Sequence, residues 1–219
     1  ITQAQCEACA VSLNDVKEAV SDWVGDKPDI VSLEPNYLDE VWSDFERVGE
    51  KLNCTDSYLK FKSEIEKRLE KLKQKSQQLI KRPSVVCVEW IDPLMIAANW
   101  VPELVDIAGG INLLSKPRTN SHIIKWEEII ESNPEFIIIM QCGFDINRTL
   151  EEIEILKQKT DCSKLEAVKS NHVFLVDGNQ YFNRPGPRLL ESAEILFEIF
   201  NFNEKRVKAL ENSWIRLEK

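Results

Sequence analysis

No run of apolar residues in this chain approaches the roughly 18 to 20 needed to span a bilayer as a helix. The longest candidate, FIIIM at 136–140, has the length of a strand. Glycine and proline are sparse, with 7 and 9 among 219 residues, which argues against long disordered linkers. Histidine is scarcer still: His122 and His172 stand alone and far apart in sequence. Catalytic signatures are missing as well, since no GxSxG, P-loop or GxGxxG occurs. A cationic surplus is also lacking. The net charge of -9 weighs against a nucleic-acid partner, because phosphate binding needs clustered Lys and Arg.

What remains is an ordinary globular composition, 43% hydrophobic and 30% charged, in a length that allows one large domain or two small lobes. The chain opens on Ile1, and ITQAQC has the character of a buried strand entering a loop, so sequence upstream is expected. Six cysteines occur, at 6, 9, 54, 87, 142 and 162, without the spacing of a disulfide framework. CEAC at 6–9 fits a redox pair, half of a zinc site, or two small residues at a strand-to-helix turn.

The hydrophobic pattern changes period along the chain. Val11, Leu13, Val16, Ala19, Val20 and Trp23 have helical spacing, a short strand follows at 30–33, and Val41, Trp42, Phe45 and Val48 mark a second helix. Residues 55–82, TDSYLKFKSEIEKRLEKLKQKSQQLIKR, contain neither Gly nor Pro and carry a narrow apolar stripe among Glu and Lys. That predicts a long, largely solvated helix, about 25 residues and roughly 38 Å in length. Strands then alternate with helices: SVVCVEW at 84–90, a helix from Asp92–Pro93 to about Ala108, a short helix at 126–134, EFIIIM, a helix at 149–160, NHVFLVD, and a helix through Leu189–Phe200. Asp92 before Pro93 reads as a helix N-cap. The alternation predicts a parallel α/β architecture.

Ligands of open parallel sheets bind beyond the carboxyl ends of the strands. Those ends deliver Gln3, Gln5 and Cys6; Glu89, Trp90 and Asp92; Gln141, Cys142, Gly143 and Phe144; and Asp177, Asn179, Gln180, Tyr181, Phe182 and Asn183. Three of the four carry an aromatic residue, as befits a site with apolar walls and few polar anchors.

The stretches ITQAQCEACAVS, VCVEWIDPLMIAANWVPELVDIAGG, WEEIIESNPEFIIIMQCGFD and VDGNQYFNRPGPRLLESAEIL resemble the periplasmic solute-binding proteins of ABC transporters. The likeness is to the class that binds vitamin B12, iron-siderophores and haem, and most to its vitamin B12-binding branch. It implies two three-layer α/β lobes joined by one long helix, with residues 1–54 finishing an incomplete N-terminal lobe, 55–82 the inter-lobe helix and 83–219 the C-terminal lobe. It further implies a non-catalytic monomer without an intrinsic cofactor, carrying cobalamin or an iron complex as cargo to a membrane permease from the periplasm or a membrane tether. Cys6, Glu89, Trp90, Phe144, Asn179, Tyr181, Phe182 and Asn183 become the candidate ligand-binding residues, with Tyr181 and Phe182 at the mouth of the cleft. Glu191 and Glu194 are candidates for docking to the permease. The absence of an arginine cluster in this half favours a neutral macrocycle. Two other readings stand beside this one: a cytoplasmic sensing or salvage protein on the same fold, and a redox enzyme built on Cys6 and Cys9.

Overall fold

A computed structural model describes residues 1–3, 11–21, 23, 25, 28–157, 162–202, 210 and 212–217. The chain divides into two compact units, Ile1–Glu64 and Ile65–Lys219.

In the first unit, β1 (Thr2–Gln3) pairs in parallel with β2 (Ser32–Leu33). Between them α1 (Leu13–Ala19) starts at Ser12, whose hydroxyl accepts the Asp15 N–H at 3.1 Å and so satisfies one orphan donor of the first turn. α2 (Leu38–Lys51) carries Asp39 and Glu40 in its first turn, opposing the helix dipole. It ends where Gly49 meets the next helix, since a Cβ there would lie 3.0 Å from that of Tyr58. Trp42, Phe45 and Phe61 form one aromatic cluster, with ring centroids 5.1–6.4 Å apart.

The long helix is present as α3 (Thr55–Ser76), which runs from the first unit into the second. Its later half is held by buried Leu72 and by Arg68, whose guanidinium forks onto Glu194 at 3.2 and 2.7 Å. Leu79 and Ser76 press on the backbone of Gly109, where φ is +90° and an added Cβ would lie 2.7 Å from Leu79 Cδ1.

The second unit continues with β3 (Ser84–Trp90), β4 (Met95–Ile96), α4 (Val101–Ile107), β5 (Ile111–Asn112), β6 (His122–Ile123), α5 (Trp126–Ser132) and β7 (Phe136–Ile139). Then come α6 (Ile146–Lys157), α7 (Glu166–Lys169), β8 (Val173–Val176), a single π-helical turn at Gly178–Phe182, α8 (Leu189–Phe200) and β9 (Trp214–Arg216). The sheet order is β6-β4-β3-β7-β8-β9, with β5 beside the start of β3. Its centre is parallel, with Val85–Val88 opposite Phe136–Ile139 and Ile137–Ile139 opposite Val173–Leu175. Val86, Val88, Ile137, Ile139 and Leu175 meet Ile129, Ile153 and Leu165 on one face. Phe174 is fully buried, its ring centroid 6.0 Å from that of Phe136 and 5.4 Å from that of Trp214. No helix among the described residues is long and apolar enough to cross a membrane.

Two expectations are corrected. The sheet is mixed, because β4, β6 and β9 add antiparallel strands at its two edges. The helix expected from Asp92 to Ala108 is a turn and a strand before it becomes a helix. Ile96 pairs with Val88 and is fully buried, so cross-strand packing outweighs the Asp-Pro signal. Asn99 then takes a left-handed conformation, φ 53°, and α4 begins only at Val101. Asp92 caps no helix; its carbonyl accepts the Trp90 indole N–H at 2.9 Å.

Phe174 sits where the sheet and the β9 edge meet, so Phe174→Ala should cost about 3–5 kcal/mol. Chemical denaturation checks it; a loss below about 1 kcal/mol would mean that this cluster is not part of the core.

Candidate functional site

The carboxyl ends of β3, β7 and β8 lie side by side in the parallel part of the sheet. The loop after β7 and the turn after β8 are stitched together by main-chain contacts. The Asn179 N–H donates to the Phe144 carbonyl at 3.0 Å, and the Asn183 side chain donates to the Met140 carbonyl at 2.8 Å. Gly178 passes so close to β7 that an added Cβ would lie 2.2 Å from the Gln141 carbonyl oxygen. Asp177 closes the front of the turn by accepting the Gln180 N–H and amide at 2.8 and 2.9 Å.

Two further ties hold this turn from behind. Buried Trp100 donates its indole N–H to the Phe182 carbonyl at 2.9 Å, and the Ser192 hydroxyl donates to the Tyr181 carbonyl at 2.7 Å. Tyr181 is thus presented on a turn fixed from β7, α4 and α8. Its ring is half-buried, with the Arg188 guanidinium carbon 6.0 Å from the ring centroid. Burial, with Glu191 adding to it, raises the phenol's pKa.

Trp90 and Phe144 come together as a tilted pair, ring centroids 5.1 Å apart at 54°. Arg148, on the first turn of α6, stands 4.7 Å over the outer part of this pair, above the Phe144 ring. It is neutralised by Glu151 and Glu152 at 2.8 and 2.7 Å. Glu89 lies half-buried next to Trp90 and accepts the Ser121 hydroxyl, a residue that also accepts the Ala98 N–H at 3.1 Å. Burial raises the Glu89 pKa, and the Ser121 hydrogen bond offsets part of that rise. Cys142 is raised too, by burial first and then by Glu89, against the opposing charge of Arg184.

Several sequence candidates are elsewhere or otherwise occupied. Cys6 lies outside the described residues. Phe182 is fully buried rather than at a mouth, because consecutive residues of a helical turn point about 100° apart and only Tyr181 is left facing outward. The Asn183 amide is spent on Met140 and Gly178 carbonyls, and buried Gln141 donates to Glu152 at 2.8 Å. Glu194 is paired with Arg68 and is not a free docking carboxylate. Asn179 holds the Arg184 guanidinium at 2.8 Å. Sequence reading missed Ser121, Trp100 and Ser192. The Phe144–Arg148 pair was legible in principle from its i, i+4 spacing at a helix start.

Residues 16–179 match the periplasmic binding protein family. The chain belongs to that family. As a periplasmic binding protein it shares its fold with an ABC transporter substrate-binding protein from Listeria monocytogenes, at a TM-score of 0.72 and 16% identity over 85% of this chain and 71% of that one. The haem complex of IsdE from S. aureus aligns at a TM-score of 0.68 and 17% identity, covering 78% of this chain and 68% of that one. The vitamin B12 binding protein BtuF of Vibrio cholerae aligns at 0.60 and 16%, covering 89% and 70%. At these identities the likeness is one of fold. No curated protein matches the chain.

Two variants test the rim. Gly178→Ala should cost about 1–3 kcal/mol by forcing the turn off β7; an unchanged unfolding temperature would refute the close approach. Because folding raises the Glu89 pKa, its contribution to stability is full below the ordinary glutamate pKa and is lost as pH rises through the raised value. Glu89→Gln should therefore raise the unfolding temperature at pH 7, by a margin that shrinks on acidification. A margin that grows at low pH would reverse the assignment.

Proposed function

We propose that this periplasmic binding protein serves as the solute-binding component of an ABC importer. Its cargo is a bulky macrocycle or chelate with flat apolar faces, of the chemical type of cobalamin or haem. The observation that supports this reading is the rim itself. Trp90, Phe144 and Tyr181 stand at the carboxyl ends of adjacent parallel strands, on loops tied down before any ligand arrives. Flat aromatic walls bury a flat ligand face, and a turn already ordered loses little conformational entropy on binding. Glu89, half-buried beside Trp90, is the polar side chain placed to meet the ligand's edge.

The proposal assigns the chain no covalent chemistry. Cargo would pass to a permease at the membrane surface from an extracytoplasmic compartment, and Glu191 remains the candidate docking carboxylate on α8. A second reading, ligand sensing or salvage in a reducing compartment, draws on one observation: Cys54, Cys87 and Cys142 are free thiols.

The test is a tryptophan-fluorescence titration of the full chain with cyanocobalamin and with hemin, corrected for inner-filter absorption. Saturable quenching by either, weakened about tenfold in Tyr181→Ala, is the expected result; tenfold corresponds to roughly 1.4 kcal/mol. Failure of both ligands to saturate would sink the macrocycle reading. Saturation with an unchanged Tyr181→Ala constant would remove Tyr181 from the site.

A further inference from the structure

The sheet face that carries Val88, Ile137 and Ile139 is not filled by the helices that cover it. A cavity of about 480 Å³ remains, bounded on the helix side by Ile153 of α6 and Leu165 of α7. Protein interiors hold few voids larger than a water molecule, so a space of this size against the core has to be accounted for. It is separate from the rim, since Trp90, Phe144 and Tyr181 do not line it. Val88 on β3 and Val173 on β8 both border it, two strand spacings apart, so it extends about 10 Å across the sheet. Apolar cavities of this kind stay dry and take up apolar molecules.

Its polar features are few. Among the described residues Lys169 is the one charged side chain on the lining, and no acidic side chain lines it. Lys169 and Ser163 are exposed, so they mark where the cavity meets solvent. The Trp126 indole N–H is buried without a hydrogen-bond partner, and so is the Asn171 side-chain oxygen. Buried polar groups are nearly always satisfied, so two orphans around one cavity point to a molecule that completes it. The ammonium, the hydroxyl and the indole all call for an acceptor. Asn171 calls for a donor, which a water carried with a hydrated head group supplies. The rest of the wall is aliphatic and suits a ligand body with no polar group to strand there.

We infer that this cavity is a second ligand site, for a free medium-chain monocarboxylate. The alkyl tail lies between the sheet and the α6 and α7 side chains, and the carboxylate stays at the mouth beside Lys169. A span of about 10 Å takes an extended tail of roughly eight to ten carbons. The inference goes beyond the proposed function and does not rest on it, because the cavity and the rim share no aromatic wall. Burial of the tail supplies most of the affinity, and the exposed Lys169 contributes the preference for an anionic head.

The experiment titrates the full chain with decanoate by calorimetry, below the concentration at which decanoate forms micelles. One-to-one saturation is expected, with a rise in unfolding temperature as decanoate is added. Decylamine has the same tail with a cationic head, and wild type should bind it more weakly. In Lys169→Glu the preference between the two should invert, decanoate losing about tenfold, and 0.5 M salt should shrink the difference. Val168→Trp and Leu217→Trp each fill the cavity from a different wall. Both should abolish decanoate binding while keeping the wild-type unfolding temperature in its absence. Two variants are used so that one misfolded substitution does not decide the matter. Absence of saturation by decanoate in wild type overturns the site. Binding that survives in a folded cavity-filling variant overturns it as well, by placing the carboxylate elsewhere. A preference for decanoate that Lys169→Glu leaves intact removes Lys169 from the head-group end and overturns the anionic assignment.

Discussion

The backbone of Gly178 runs against the Gln141 carbonyl at a distance that admits no side chain. Everything on the rim depends on that approach. It brings the π-helical turn onto the end of β7, where Asn183 can donate to the Met140 carbonyl and the Asn179 N–H can reach the Phe144 carbonyl. Once the two loops are joined, Tyr181 and the Trp90–Phe144 pair stand at the ends of adjacent strands. The strands give direction, and the spacing between the loops is set by one main-chain hydrogen bond and one from the Asn183 side chain.

The polar groups of the rim divide into those that hold and those that remain available. Asn183, Ser192, Trp100 and Asp177 are consumed internally. In the proposed function, a rim built this way has few rotamers to freeze when a ligand docks, so less of the interaction energy is lost to ordering. The same construction explains why the most aromatic dipeptide in the loop splits into two roles. Phe182 fills the core beneath the turn while Tyr181 caps it.

The parts of the fold that were legible in the sequence are those governed by local periodicity. The long charged helix, the buried strands at 84–90 and 136–140, and the helix through Leu189–Phe200 follow from spacing alone, although the long helix stops at Ser76, six residues before the expected end at 82. What failed was decided by distant partners. Met95–Ile96 is a strand because β3 and β6 flank it, against the local Asp-Pro signal for a helix. Trp214–Arg216 is a strand because β8 offers it an edge. The site showed the same division. Strand ends with aromatic residues could be read directly. The choice between Tyr181 and Phe182 depended on which side of a turn faced β7.

The fork between Arg68 and Glu194 gives the second unit a mechanical continuity. Glu194 lies two residues along α8 from Ser192, whose hydroxyl holds the Tyr181 carbonyl. The later half of α3 is thereby linked through one helix to the turn that carries the aromatic cap. That link is a part-exposed ion pair, so it sets the register of α8 against α3 at a modest energetic contribution.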